Sequence, residues 1–241
     1  MSVLVVTGTG TEVGKTIATA ALAAAARAAG VGVAVCKPVQ TGADQDDDLA
    51  LIRRLAGVTI TAQVARYPEP LAPAAAAALA GRSLPTIAEI VEAVVALDGP
   101  GQLTLLEGAG GLLVELAAGG HTLRDVAVEL GSPVLVVCPP GLGTLNHVAL
   151  TLEALQHLGI ECAGLVVGYW PENPGAAELY NRETLATMAP LRAVLPAGSG
   201  VLDPTDFTEM GRHAFDPQWI TAMVPQRPPA GADSRHRVRA D

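Results

Sequence analysis

A chain of 241 residues, half of them hydrophobic, can bury one substantial α/β core, and with only 3% aromatic residues that core must be packed with Val, Leu, Ile and Ala. A formal charge of −9 with no visible basic face excludes a general nucleic-acid binder, because counterion release needs clustered Lys and Arg. The alanine-rich stretches are too short, or too often interrupted by Arg, Gly and Pro, to cross a bilayer, so no membrane partner is expected.

The N-terminus enters an apolar run directly, without the basic, apolar and cleavage segments of a signal peptide. Residues 3–6 are unbroken apolar sequence, the pattern of a buried parallel strand, and a glycine-rich turn leads from it into an Ala-rich stretch over residues 15–29 that favours helix until Gly30 stops it. Further apolar runs predict strands at residues 33–36, 103–106, 134–138, 163–167 and 193–195. Helices are predicted at residues 49–55, 86–97, 122–130, 145–158 and 176–188. This alternation predicts a single doubly wound α/β domain over residues 1–224, with a mostly parallel central sheet flanked by helices. Residues 225–241 have too little apolar content to offset the entropy of ordering them, and read as a disordered tail. Cys36, Cys138 and Cys162 are widely spaced in or beside apolar runs, which fits buried reduced thiols and a cytoplasmic setting.

An open parallel sheet gathers its ligands at the carboxyl ends of its strands, so the residues just beyond each run are the functional candidates. They are residues 8–16, 37–41, 107–111, 139–146, 168–171 and 196–198. The first of these edges reads Gly8-Thr9-Gly10-Thr11-Glu12-Val13-Gly14-Lys15-Thr16 and closes with the Gly-Lys-Thr of a phosphate-binding loop, although Thr9 stands where the usual first glycine falls. Glycines let successive backbone N–H groups turn toward phosphate oxygens and the following helix adds its positive end. Lys15 reaches the outer phosphates, and the Thr16 hydroxyl can ligate magnesium. The third edge places Glu107 at a strand end before Gly108, Ala109, Gly110 and Gly111, where a carboxylate can face a metal. A second carboxylate comes from Asp46-Asp47-Asp48; only one of these need approach the metal, with Asp48 the choice and Asp47 the alternative. Lys37, at the end of the second strand, supplies a further cation for phosphoryl transfer or for holding an anionic nucleophile.

Together with Lys37-Pro38-Val39-Gln40-Thr41-Gly42, with Glu107-Gly108-Ala109-Gly110-Gly111 and with Gly141-Leu142-Gly143-Thr144-Leu145-Asn146-His147, the phosphate loop resembles the dethiobiotin synthetase family over roughly the first 200 residues. The resemblance implies an ATP-dependent ring closure in which diaminopelargonic acid takes up carbon dioxide as a carbamate, the carbamate is phosphorylated, and the neighbouring amine displaces phosphate to give a cyclic urea. It implies Mg2+ held by Thr16, Asp48 and Glu107, and catalytic lysines Lys15 and Lys37. The nucleotide site would draw on Glu12, Val13, Gly14, Lys15, Thr16, Ile17, Asp48, Glu107, Gly108, Ala109, Gly110, Gly168, Tyr169, Pro196, Ala197 and Gly198. Thr41 would receive the nitrogen end of the substrate, and Gly143, Thr144, Leu145 and Asn146 of a partner subunit would receive its carboxylate tail, making the enzyme a homodimer with shared sites. Tyr180 either joins that pocket or packs on the sheet.

The chain departs from the family at Gly168-Tyr169-Trp170, where many members place an Asn that reads the adenine edge, so other triphosphates such as CTP are expected to compete with ATP. A rival reading on the same fold is a partner-regulated ATPase of the plasmid- or division-site-positioning type, but those carry an extra lysine near the loop start, where this chain has Thr9. A glutamine-dependent amidase of the cobyric acid type would need an ammonia-supplying domain for which the chain is too short. His121, His147, His157, His213 and His236 show no metal-ligand spacing.

Overall fold

The computed structural model describes residues 2–44 and 46–224, so the predicted tail lies outside the described residues. In chain order come β1 (Val3–Gly8), α1 (Lys15–Ala28), β2 (Gly32–Cys36), β3 (Val39–Gln40), α2 (Asp48–Ala56), β4 (Ile60–Ala62) and β5 (Ala65–Arg66). They are followed by α3 (Pro73–Leu79), α4 (Ile87–Val95), β6 (Gln102–Gly111), β7 (Glu115–Ala117), β8 (His121–Thr122), α5 (Leu123–Leu130) and β9 (Val134–Cys138). The chain continues through α6 (Thr144–Gln156), β10 (Cys162–Trp170), α7 (Ala176–Met188), β11 (Leu191–Pro196), α8 (Pro204–Ala214) and α9 (Pro217–Ala222).

Seven strands pair in the order β11-β10-β9-β1-β6-β2-β4, all parallel, with helices on both faces. Successive strand residues divide between the two helical layers, as the two-residue period of a strand requires. Val3 and Val5 of β1 enter one core and Leu4 and Val6 the other; Val134, Val136 and Cys138 of β9 join the first, Leu135 and Val137 the second. After β1 the chain first builds toward β2 and β4, then returns through β6 and builds outward through β9, β10 and β11. The carboxyl end of β1 is therefore a topological switch point, where the strands on either side leave a crevice.

Helix α1 is buried along most of its length, and its alanines let α8 come close enough that a Cβ on Gly211 would stand 2.8 Å from the Ala21 carbonyl oxygen. The predicted helices appear with ends shifted by at most two residues. Helices α3, α8 and α9 were not expected, although α8 and α9 each begin with an Asp-Pro pair whose Asp side chain caps the first turn. Strand β4 also went unseen, being three residues long with an exposed first residue. Three expected strand ends need correction. β1 runs on from Val6 to Gly8. β6 runs on through Glu107 to Gly111 and β10 through Gly168 to Trp170, because their backbones go on pairing with neighbours: Gly8 lies opposite Gly111, and Trp170 opposite Pro196. Glu107 and Gly168 are thus strand residues.

The three thiols are free. Cys36 and Cys138 are buried, which pushes their pKa values up to about 12 and about 11, whereas Cys162 is only partly buried, since it starts β10 at the sheet margin.

Candidate active site

The loop between β1 and α1 turns through left-handed backbone at Glu12 (φ 59°) and at Gly14 (φ 91°), the residue that caps α1. A Cβ on Gly8 would stand 2.7 Å from Val13 Cγ2 and 2.9 Å from the Gly10 carbonyl oxygen. The loop therefore meets its need for a bare backbone at Gly8, one position earlier than the usual pattern, while Thr9 fastens to the sheet by donating its N–H to the Val137 carbonyl at 2.9 Å.

Four side chains from four segments meet beneath this loop. The Thr16 hydroxyl of α1 lies 2.9 Å from Asp48 Oδ1 and 3.1 Å from Glu107 Oε1. Lys37 Nζ, one residue past β2, lies 2.7 Å from both Asp48 Oδ2 and Glu107 Oε1, and donates to the Gly108 carbonyl at 3.0 Å. Burial alone would lower the Lys37 pKa, but the Glu107 and Asp48 charges more than offset it and hold the ammonium above its ordinary range. Asp48 is held below the usual carboxylate range: burial works against this, and Lys37 and the Thr16 hydroxyl outweigh it. Lys15 has no such carboxylate contact. Its Nζ donates to the Gly10 carbonyl at 2.7 Å, and burial, then the Lys37 charge, lower its pKa from 10.5 to about 8 against the opposing pull of Glu107 and Asp48.

The acidic triplet divides its work. Asp48 faces Thr16 and Lys37, whereas Asp47 caps α2 through the Ala50 N–H at 2.8 Å and pairs with Arg66 at 3.0 Å. Among the described residues no group of three His, Cys, Asp or Glu side chains converges as a metal cage. The available set is a hydroxyl and two carboxylates. Such a sparse set suits Mg2+, which keeps several waters and takes phosphate oxygens as ligands. Glu107 Oε2 is fully buried with no hydrogen-bond partner, an orphaned acceptor that a cation would satisfy.

A cavity of about 580 Å³ opens over this cluster. Of the residues expected from the sequence, Glu12, Gly14, Lys15, Thr16, Ile17, Lys37, Thr41, Asp48, Ala109 and Gly110 line it. Val13, Glu107 and Gly108 do not reach its surface; all three are buried. Gly168, Tyr169, Pro196, Ala197 and Gly198 are also absent from its lining, but Gly168 abuts the loop, since its added Cβ would stand 2.0 Å from the Val13 carbonyl oxygen. The Ala197 N–H donates to the Trp170 carbonyl at 2.8 Å, tying the ends of β10 and β11 together on that side. Gly143, Thr144, Leu145 and Asn146 form the cap and first turn of α6 outside the cavity. Tyr180 is 65% exposed on α7, so it does not pack on the sheet.

Sequence reasoning passed over Val39, Gln40, Pro70, Leu71, Ala72, Pro73 and Val114, all of which line the cavity. Gln40 sits inside a motif already singled out, three residues after Lys37. Residues 70–73 carried only a proline-rich turn signal with nothing to connect it to the loop.

The sheet, the switch-point crevice and the Gly-Lys-Thr loop between β1 and α1 define a phosphate-binding-loop NTPase fold. A family model described as AAA domain matches residues 2–198. A protein of Mycolicibacterium vanbaalenii named ATP-dependent dethiobiotin synthetase BioD is 62% identical over 225 residues, spanning 93% of this chain and 100% of that one. Proteins of the same name from Mycobacterium avium and Mycobacterium leprae are 61% and 60% identical over the same shares of each chain. The chain belongs to the dethiobiotin synthetase family. Among solved structures, the signal recognition particle receptor FtsY of Elizabethkingia anophelis in complex with GDP aligns with a TM-score of 0.51 at 16% identity, over 93% of this chain and 64% of that one. That likeness concerns the fold alone, and this chain spans just under two thirds of the receptor structure.

Proposed function

We propose that this chain catalyses the ATP-dependent closure of diaminopelargonic acid with carbon dioxide to dethiobiotin. The observation that carries the reading is the convergence of Lys15, Lys37, Thr16, Asp48 and Glu107 under one cavity that Thr41 also lines, on a chain whose full-length relatives bear that enzyme's name. Thr16, Asp48 and Glu107 would hold Mg2+, which when bound would neutralise phosphate oxygens and help to fix the γ-phosphoryl group. The triphosphate would lie along the loop, with backbone N–H groups and the start of α1 receiving its charge.

One amine of the substrate, placed near Thr41, adds to carbon dioxide, forming an N–C bond and losing a proton. The resulting carbamate oxygen attacks the γ-phosphorus, and the nucleoside diphosphate leaves. Lys15 and Lys37 would flank this transfer as fixed positive charges, aligning two anions that would otherwise repel. The second amine then attacks the carbamoyl carbon, phosphate departs, and loss of its proton leaves the cyclic urea.

The start of α6, with a glycine cap and no side chain closing its first turn, suits a carboxylate tail. Because those residues lie outside this chain's own cavity, we assign their role to a second copy. Exposed Leu113 and Leu150, which line a neighbouring groove of about 360 Å³, and Leu142, 91% exposed beside the α6 cap, support such a dimer. No helix among the described residues is long and apolar enough to cross a membrane, and a cytoplasmic biosynthetic role is our reading.

The test is to combine the protein with magnesium ATP, bicarbonate and diaminopelargonic acid, follow phosphate release, and identify the product by mass, omitting each component in turn. Diamine-dependent release with a dethiobiotin mass is expected. Hydrolysis indifferent to the diamine would instead favour the partner-regulated ATPase.

A further inference from the structure

The loop that joins β3 to α2 carries the proposed substrate residue Thr41 at one end and the proposed metal residue Asp48 at the other. On its outer side it is fastened to β5 and the residues just after it: the Gly42 N–H donates to the Glu69 carbonyl, the Ala43 N–H to the Tyr67 carbonyl, and Arg66 reaches both Asp47 and the Ala43 carbonyl. On its inner side one side chain spans both ends. Gln40 is 4% exposed; its Oε1 accepts the Asp48 N–H at 3.3 Å and its Nε2 donates to the Thr41 carbonyl at 2.9 Å.

The Asp48 N–H is the first of the helix-start N–H groups that have no intrahelical acceptor, and Asp47 is committed to Ala50, so Gln40 provides the acceptor that sets where α2 begins. The same amide uses its donor on Thr41. A carboxylate in its place would lack that donor and an ammonium would lack the acceptor, so the position calls for a side chain that has both.

We propose that Gln40 is a positioning residue that sets the Asp48 carboxylate against Thr16 and Lys37 and, in the same stroke, sets Thr41 toward the diamine. This rests on the metal and substrate assignments above. Two variants separate its halves: Gln40→Met keeps length and burial but removes both hydrogen bonds, and Gln40→Glu keeps the acceptor and loses the donor.

Calorimetry of ATP binding to the full chain, with Mg2+ and then with EDTA, reads the metal half without turnover. Gln40→Met is expected to lose about tenfold of the magnesium-dependent gain in ATP affinity, the loss typical of removing a group that orients a metal ligand. Its affinity in EDTA should be unchanged. Gln40→Glu should retain the gain but raise the KM for diaminopelargonic acid with little change in kcat. An unchanged magnesium gain in Gln40→Met overturns the proposal, as do equal losses with and without Mg2+ accompanied by a lowered Tm. A wild-type protein whose ATP affinity ignores Mg2+ overturns the metal assignment itself and this proposal with it.

Discussion

The two ends of the proposed site are built on different principles. At the phosphate end, Thr16, Lys37, Asp48 and Glu107 from four separate segments are tied to one another within 3.1 Å, with Lys37 and Glu107 buried and Thr16 and Asp48 open to the cavity. At the tail end, no side chain caps the first turn of α6, and Asn146 in that turn and nearby Leu142 and Tyr180 are exposed. A preorganised cluster can stabilise developing charge because it need not rearrange when the charge appears. An open helix start only receives what a second body brings to it. On the proposed reading, one chain would carry the phosphoryl-transfer end complete and only the receiving half for a second copy's substrate.

The largest effect should come from breaking the tied end. Lys37→Ala leaves Asp48 and Glu107 facing each other without the ammonium, and unpairing a buried charge costs about 3–5 kcal/mol. Denaturant unfolding should register that loss, and diamine-dependent phosphate release should fall by about 10²–10³-fold or more, the scale for removing a charge-stabilising donor. A Lys37→Ala protein that turns over the diamine at the wild-type rate would remove Lys37 from the chemistry.

The open end is probed by mixing. Asn146→Asp puts a negative charge where the carboxylate tail is expected, and should by itself raise the KM for the diamine steeply. If each site draws on two chains, mixing Lys37→Ala with Asn146→Asp under exchange should restore about a quarter of the wild-type rate, since half the symmetric dimers become mixed and each of those has one intact site. A mixture as inactive as its parts would place the α6 start outside the partner's site.

The contrast between the ends also explains what could be read in advance. Lys15, Thr16, Lys37 and Glu107 sit beside strands long and apolar enough to announce themselves, so the edge of the sheet could be drawn from the chain alone. Asp48 could be preferred to Asp47 only narrowly, because which carboxylate turns inward depends on where α2 starts and on contacts such as Gln40 with the Asp48 N–H and Arg66 with Asp47, which leave no mark in the sequence. The lining residues 70–73 reach the cavity through tertiary packing that leaves no periodic trace in the sequence. Glycine misled twice, at Gly108 and at Gly168: it reads as a strand terminator, yet both backbones continue in pairing strands and are bare because something presses on them. Leu123 Cδ2 fills the place of a Cβ on Gly108, and the Val13 carbonyl fills it on Gly168.

That second contact yields a smaller, sharper prediction. The family resemblance leads us to expect a base-reading Asn where Gly168 stands, and placing that side chain here should not produce base reading, because its Cβ would collide with the phosphate loop. Gly168→Asn should weaken ATP and CTP together, by about 1–3 kcal/mol as overpacking commonly costs. Comparable turnover constants for ATP and CTP in the wild type would support loose base selection; strict ATP dependence, or a Gly168→Asn protein that gains ATP preference without losing affinity, would refute it.

The smallest effect is a slope in pH that runs in opposite directions for the empty and the loaded protein. Burial and Lys37 bring the Lys15 pKa to about 8, while in the unfolded chain it returns to 10.5, so between those values the unfolded state holds more protons and the empty protein gains stability as pH rises. A bound triphosphate favours the charged lysine and raises its pKa again. Above about pH 8 binding must therefore take up a proton, and affinity should fall by at most about tenfold per pH unit. Melting curves of the empty protein across this window, and calorimetry of ATP binding in two buffers of different ionisation enthalpy, read the two slopes separately. In Lys15→Arg, whose guanidinium stays charged, proton uptake should vanish; uptake that persists in that variant would assign the slope to another group.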